Sequence, residues 1–244
     1  MSNPIATYGF TAVPASASAL LTSTPAYPSS STKAEPIPVS ATPIPSSELA
    51  QRINSYARSH LPEPTYNHSL RVYHFGLAIK RYRFAHADWD FSDETYFLAC
   101  VLHDIGTTDE NLQKTKMSFE FYGGFLALEV LQDGDSGAPQ DQAESIAEAI
   151  IRHQDLCDVG KITALGQLLQ LATIFDNTGA YADLVHPDTI KDVSEHFPRH
   201  AWSQCFASTI HRENGLKPWA HTTALGEEAF PAKVLANKLM EPFE

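Results

Sequence analysis

The chain has few cysteines and few basic residues, and both shortages exclude classes of protein. Its 244 residues include three cysteines, an odd number, and no Cys-x-x-Cys pair. Neither a disulfide framework nor a thiolate zinc site is therefore predicted. Lys and Arg number 17 against 29 Asp and Glu, which gives a net charge of −12. Because nucleic-acid binding depends on cations that displace counterions from phosphates, this balance argues against a nucleic-acid partner.

Long apolar runs and glycine-rich phosphate loops are also missing. No stretch approaches the ~20 apolar residues that a bilayer-spanning helix needs, and the N-terminus has no basic segment followed by an apolar one. We therefore expect no membrane partner and no secretory signal. Free cysteines fit a reducing compartment, so the predicted location is cytoplasmic.

Composition divides the chain near residue 47. Residues 1–47 contain eight of the sixteen prolines and ten serines, but only two charged residues, Lys33 and Glu35. Such a segment has too few large apolar residues to offset the entropy lost on ordering it. We therefore predict a Pro/Ser-rich N-terminal arm over residues 1–47 that is mostly flexible, and one folded domain over residues 48–244.

The remaining pattern is helical. Apolar residues recur at three- and four-residue spacing, Ser47 and Ser92 are suitable N-caps, and we find no alternation of period two over a strand's length. The segment after Ser92 is apolar nearly all round, so it is predicted to be the buried central helix, ending at a left-handed Gly106. The predicted fold class is all-α, a bundle of mixed crossings. The predicted helices cover 48–60, 65–84, 93–105, 118–131, 140–152 and 162–175, with weaker segments near 188–197, 199–213 and 227–240.

Four residues on these helices can bind a metal. One apolar run leads into His103 and Asp104, another leads into Asp176, and His68 lies on the helix predicted over 65–84. An aspartate at such a position is costly to bury unless it is paired, hydrogen-bonded or bound to a metal. Each residue alone is equally compatible with a surface position at a helix end. Together, two imidazoles and two carboxylates make a ligand set for one divalent cation, and these ligand types suit Zn, Fe or Mn.

The same motifs resemble those of the HD-domain metalloenzymes. The resemblance rests on residues 67–72, on residues 101–106 with their adjacent His-Asp pair, and on the later aspartate. It extends over roughly residues 48–180. It implies an all-helical HD-domain bundle with a metal site in its core. The metal ligands that it implies are His68, His103, Asp104 and Asp176.

Further segments resemble the fungal cyanamide hydratases. These segments are residues 117–124, 148–153, 166–173, 197–200 and 217–223, with residues 9–14 near the N-terminus. That family adds water across the nitrile of cyanamide and produces urea. The resemblance therefore implies a metal-dependent hydro-lyase with Zn²⁺ as its cofactor and cyanamide, a small neutral nitrile, as its substrate.

The implied chemistry assigns roles to further residues. Bound Zn²⁺ lowers the pKa of its water to about 7, and the hypothesis is that the metal hydroxide attacks the nitrile carbon. Asp104 and His153 are the predicted catalytic residues, with His153 as substrate-binding proton donor. Thr173 shares a helix face with Asp176 and is predicted to orient the substrate's amino group. The alternatives are a capping histidine at 153 and a threonine hydroxyl bonded back to its own helix.

Two other functions are open at this point. A phosphohydrolase acting on a nucleotide or another small phosphate ester is the first, and Arg71 or Arg152 would then bind phosphate. A non-catalytic helical module with a vestigial metal is the second. The weaker C-terminal helices carry apolar residues that would be exposed, so we also expect a homo-oligomer.

Overall fold

The computed structural model describes residues 4–24 and 33–244. Within these ranges helices dominate, which confirms the all-α class, and two short strands pair antiparallel with Val13 opposite Ile162. The strands are β1 Ala12–Pro14 and β2 Lys161–Thr163. The α-helices are α1 Pro4–Thr7, α2 Ala17–Ser23, α3 Glu48–His60, α4 Glu63–Arg83, α5 Asp93–Leu102, α6 Asp109–Lys114, α7 Phe119–Gln132, α8 Gln140–Ile151, α9 Ala164–Thr178, α10 Pro187–His196, α11 Trp202–Leu216 and α12 Ala229–Leu235.

Helix α5 lies in the middle of the main apolar core, as predicted from its apolar sequence. Every residue from Thr95 to Leu102 is buried, and α5 contacts α3, α4, α8 and α9. The predicted cap is confirmed, since the Ser92 side chain accepts from the Thr95 backbone N–H. No helix in the described ranges is long and apolar enough to cross a bilayer.

The end of α5 differs from the prediction. The helix ends at Leu102, and His103 and Asp104 lie where the backbone turns toward a short 3-10 helix. Gly106 is not among the glycines with positive φ, so it is not a left-handed helix terminus. A Cβ on Gly106 would instead lie 2.2 Å from the carbonyl oxygen of Phe119. This glycine therefore allows the start of α7 to approach the turn that carries the His-Asp pair.

The substitution Gly106→Ala is expected to destabilise the protein. The added methyl group meets backbone rather than a flexible side chain, and such overpacking costs about 1–3 kcal/mol. Gly215 is a matched control in α11, because a Cβ there meets nothing within 4 Å. Gly215→Ala should be neutral or stabilising by up to about 1 kcal/mol. Guanidinium denaturation measures both free energies of unfolding, and equal effects of the two changes would contradict this account of Gly106.

Helix α9 begins later than predicted, at Ala164, because Ile162 belongs to β2. The side chain of Thr163 caps the helix by accepting from the backbone N–H of Gly166. A strand of three residues is too short to produce a recognisable alternation of period two. The pairing of β2 with the N-terminal segment therefore has no signal in the sequence.

The described part of residues 1–47 makes several contacts with the rest of the chain. Leu20 is buried, β1 pairs with β2, and the backbone N–H of Val39 donates to Asp192 Oδ2 at 2.7 Å. These long-range contacts offset the ordering entropy that composition alone emphasises. The other residues of the predicted arm lie outside the described ranges. The flexible arm and the domain boundary at residue 47 both stay predictions.

Candidate metal centre

The residues predicted for the site come from four segments that meet at the C-terminal end of α5. All of them are buried, with at most 5% of their surface exposed. Helix α4 provides His68, the turn after α5 provides His103 and Asp104, the turn after α8 provides His153, and α9 provides Thr173 and Asp176.

A glycine sets how closely α4 approaches α5. A Cβ on Gly76 would lie 1.8 Å from the hydroxyl oxygen of Tyr96. That hydroxyl donates to the Val72 carbonyl at 3.0 Å, one turn of α4 beyond His68. The absence of a side chain on Gly76 therefore lets α4 lie against α5 and brings His68 to the His-Asp turn.

Three residues form a group of potential metal ligands. His68 Nε2 lies 3.2 Å from His103 Nε2 and 3.8 Å from Asp104 Oδ2, while His103 Nε2 lies 3.2 Å from that same oxygen. One ligand atom from each residue lies within 4.8 Å of the others. Two imidazole nitrogens and a carboxylate oxygen in this arrangement are suitable donors for a divalent cation.

Hydrogen bonds at the opposite ring nitrogens orient both imidazoles. His68 Nδ1 donates to Asp176 Oδ2 at 2.6 Å, and His103 Nδ1 donates to the Cys100 carbonyl at 2.7 Å. The two Nε2 atoms, with their lone pairs, therefore face each other. Burial lowers the pKa of His68 to about 4, so its imidazole is neutral near pH 7, as a metal ligand must be.

The Asp104 carboxylate supplies an independent reason to expect a cation. Both of its oxygens are buried without a hydrogen-bond partner among the described residues. Burial opposes its charge, but His103 and then His68 outweigh burial and hold the pKa of Asp104 well below its ordinary value. An ionised carboxylate without hydrogen bonds is costly in a protein interior. A metal ion bound between the two imidazoles and this carboxylate removes that cost.

The sequence assigns Asp176 to the metal ligands, but the structure does not bring it into this group. Arg71 Nη2 donates to Asp176 Oδ2 at 2.9 Å, and Arg199 Nη1 donates to Oδ1 at 2.7 Å. Burial opposes ionisation, yet these two guanidinium groups hold the pKa of Asp176 far below its ordinary value. With His68 Nδ1 also bound to Oδ2, the carboxylate is already fully engaged by the protein.

His153 lies beside the group, with its Nε2 3.8 Å from Asp104 Oδ1. Its Nδ1 donates to the Ile150 carbonyl at 2.7 Å, which leaves Nε2 as the proton-accepting atom. Burial, followed by the nearby His103, lowers the pKa of His153. This ring is therefore a neutral base at neutral pH.

Thr173 lines the same small cavity as His153. Its hydroxyl donates to the Gln170 carbonyl at 3.0 Å, which is the helix-bonded alternative considered from the sequence. The hydroxyl proton is thus used within α9, and the oxygen retains its lone pairs. Thr173 therefore offers an acceptor, not a donor, to a molecule in this cavity.

Trp202 and Arg199 support the site without having been predicted. The indole ring of Trp202 stacks on His68 with centroids 4.1 Å apart, and its Nε1 donates to Asn177 Oδ1 at 2.7 Å. Neither residue has a ligand-like spacing in the sequence. Arg71 had a signal, since it lies three residues after His68 and so shares its helix face.

The arginines proposed for phosphate binding are engaged by the protein instead. Arg71 is buried against Asp176 and also donates to the Phe197 carbonyl at 3.1 Å. Arg152 donates to Asp155 Oδ2 at 2.9 Å. Neither guanidinium group is therefore arranged to receive a substrate phosphate at the His-Asp group.

A second buried polar cluster contacts the His153 side of the site. The Phe119 ring packs against His153 with centroids 5.6 Å apart, and the Phe119 backbone N–H donates to Glu213 Oε1 at 2.7 Å. Lys217 Nζ lies 3.6 Å from the same oxygen. Burial, followed by the nearby Glu120 carboxylate, raises the pKa of Glu213 to about 7. Glu120 itself accepts hydrogen bonds from His221 and Thr222.

The raised pKa of Glu213 makes stability depend on pH. Its ordinary pKa is 4.5, so the stability that its neutral form provides is fully present below pH 4.5 and is lost as pH rises to about 7. The variant Glu213→Gln imitates the neutral form. The difference in free energy of unfolding between Glu213→Gln and the native protein should be about 3 kcal/mol more favourable to the variant at pH 8 than at pH 4. Chemical denaturation at the two pH values measures this, and a difference that does not change with pH would contradict it.

Comparisons with known proteins agree with this geometry. A family model described as HD domain matches residues 65–178, a range that includes every residue predicted for the site. The fold and the His-Asp group thus define an HD-domain protein.

Two curated relatives narrow the class further. Cyanamide hydratase DDI2 and cyanamide hydratase DDI3, both of Saccharomyces cerevisiae, are each 47% identical to this chain over 202 residues. Each match spans 83% of this chain and 88% of the yeast protein. The chain belongs to the cyanamide hydratase family.

Proposed function

We propose that this protein is a metal-dependent hydro-lyase that adds water to the nitrile of cyanamide and releases urea. The observation that carries the proposal is the buried group formed by His68, His103 and Asp104, whose potential ligand atoms lie close together. Neither carboxylate oxygen of Asp104 has a hydrogen-bond partner among the described residues. The yeast relatives named for this activity supply the substrate.

The metal would be held by Nε2 of His68, Nε2 of His103 and the Asp104 carboxylate. A divalent cation there supplies a Lewis acid that lowers the pKa of a bound water to about 7. Zinc is the metal that the family resemblance implies, while the donor types also suit iron and manganese. Asp176 would act on the metal through His68, because a carboxylate at the far ring nitrogen fixes the tautomer and orientation of a histidine ligand.

The remaining residues of the site would manage protons and substrate orientation. The oxygen of water bonds to the nitrile carbon, and the proton it loses passes to His153 Nε2, whose Nδ1 is fixed on the Ile150 carbonyl. His153 then returns that proton to the nitrile nitrogen. The product is isourea, which tautomerises to urea. Thr173, whose oxygen is a free acceptor, would receive a hydrogen bond from the substrate's amino group.

Two further properties stay predictions. A cytoplasmic location and a homo-oligomer are expected from the sequence. Exposed apolar residues such as Leu216 and Leu235 near the C-terminus are consistent with the second.

A paired assay separates the hydratase from the phosphohydrolase. The protein is stripped with a chelator, reloaded separately with zinc, iron(II) or manganese(II), and tested for urea from cyanamide and for phosphate from nucleoside monophosphates. Urea without phosphate is the expected result, with no urea from the stripped protein. Phosphate without urea would reject the proposal. Absence of bound metal, with melting unchanged by the chelator, would indicate a non-catalytic module.

A further inference from the structure

A narrow cavity lies beside His153, and polar and apolar side chains line it in equal number. Its volume of about 10 Å³ is room for roughly one water molecule. His153 and Thr173, the two residues proposed to bind substrate, line it. Four large apolar side chains also line it, and these are Leu156, Ile174, Leu225 and Phe230.

A second cavity lies on the other side of Leu156 and Ile174, toward the N-terminal segment. It has a volume of about 150 Å³, and Ala15 and Ser16 are among the residues that line it. Leu156 and Ile174 line both cavities, so these two side chains form the wall between them.

The two side chains of this wall differ in exposure. Ile174 is buried within α9, whereas Leu156 is 42% exposed and lies on the loop between α8 and β2. The backbone beside it is fixed, because Gln170 Nε2 donates to the Asp155 carbonyl at 3.0 Å. The Leu156 side chain is therefore the part of the wall that can turn aside while the loop stays in place.

We propose that these neighbouring cavities are the entrance to the site and that Leu156 limits the size of the nitriles admitted. This inference rests on the proposed function. The two cavities carry polar as well as apolar side chains, including Asp158 and Lys233 in the outer one, so Leu156 selects by size and not by charge. A larger cavity of about 740 Å³ lies near Cys205. Neither His153 nor Thr173 lines that cavity.

Two substitutions at one position test the entrance in opposite directions. Leu156→Trp is expected to raise KM for cyanamide on the order of tenfold with little change in kcat. Leu156→Ala should leave cyanamide turnover near the native value and raise kcat/KM for dimethylcyanamide on the order of tenfold, since a few methylene groups in a pocket decide such ratios. Leu235→Ala is the control, because Leu235 is 53% exposed and lines neither cavity.

A second measurement does not depend on turnover. Diethyl pyrocarbonate modifies the neutral imidazole of His153, and mass spectrometry of the metal-loaded protein gives the rate at that residue. The rate should fall in Leu156→Trp, rise in Leu156→Ala and stay unchanged in Leu235→Ala. Unchanged modification rates at His153 in both Leu156 variants would show that Leu156 does not control access to the site. That conclusion does not depend on which substrate the enzyme uses. If the native protein makes no urea, the proposed function is wrong. The modification rates still show whether Leu156 controls access to His153.

Discussion

Replacement of His103 by alanine is expected to abolish urea formation while the protein remains folded. The change removes one of the converging Nε2 atoms, which lies 3.2 Å from Asp104 Oδ2. Loss of the metal returns the pKa of the attacking water from about 7 toward 15.7, so the rate should fall by more than about 10³-fold. Metal content by mass spectrometry and urea release are measured on the same preparation.

The control for this change is a histidine away from the site. His211 is exposed on α11, and His211→Ala should retain metal and turnover. Circular dichroism and melting curves show whether each variant is folded. A folded His103→Ala protein with native metal content and native turnover would contradict the proposed metal centre.

Replacement of Asp176 is expected to have the largest effect on stability. Asp176→Ala leaves the Arg71 guanidinium group buried without its counter-charge and leaves Arg199 with Glu244 as its carboxylate partner. Removing one partner of a buried ion pair costs about 3–5 kcal/mol. Guanidinium denaturation measures the loss. Asp188→Ala is the matched control, because Asp188 is 75% exposed, and its effect should stay within about 0.5 kcal/mol.

The more conservative variant Asp176→Asn tests how this residue acts on the metal. The asparagine oxygen can still accept from His68 Nδ1, so the histidine keeps its orientation while the negative charge is lost. Metal affinity should fall by about 10–100-fold, the range typical of a residue that supports a ligand. A complete loss of metal from the folded variant would instead show that Asp176 is itself a ligand.

The sequence predicted the parts of this fold that depend on neighbouring residues in the chain, namely helix periodicity and helix caps. The apolar run before His103 indicated a buried helix, and the Ser92 cap indicated where it begins. The pattern did not show that α5 ends at Leu102, because the turn is set by the close approach of Gly106 to α7. That approach joins two segments of the chain and leaves no periodic signal.

The sequence likewise predicted one part of the candidate metal centre and missed another. The order of His68, His103 and Asp104 indicated a metal site, and the structure brings these residues together. The engagement of Asp176 could not be predicted, because the resemblance of residues 197–200 does not indicate which carboxylate Arg199 contacts. The ion pair forms only through the tertiary packing of α9 against the segment before α11.

A crystal structure of the zinc-loaded protein, with anomalous data collected at the zinc absorption edge, is the most direct test of the metal centre. One strong peak is expected at about 2.0–2.2 Å from Nε2 of His68, Nε2 of His103 and an oxygen of Asp104. Asp176 should remain bound to His68 Nδ1 and the two arginines. A peak at another position, or the absence of any peak from fully active crystals, would contradict the proposed centre.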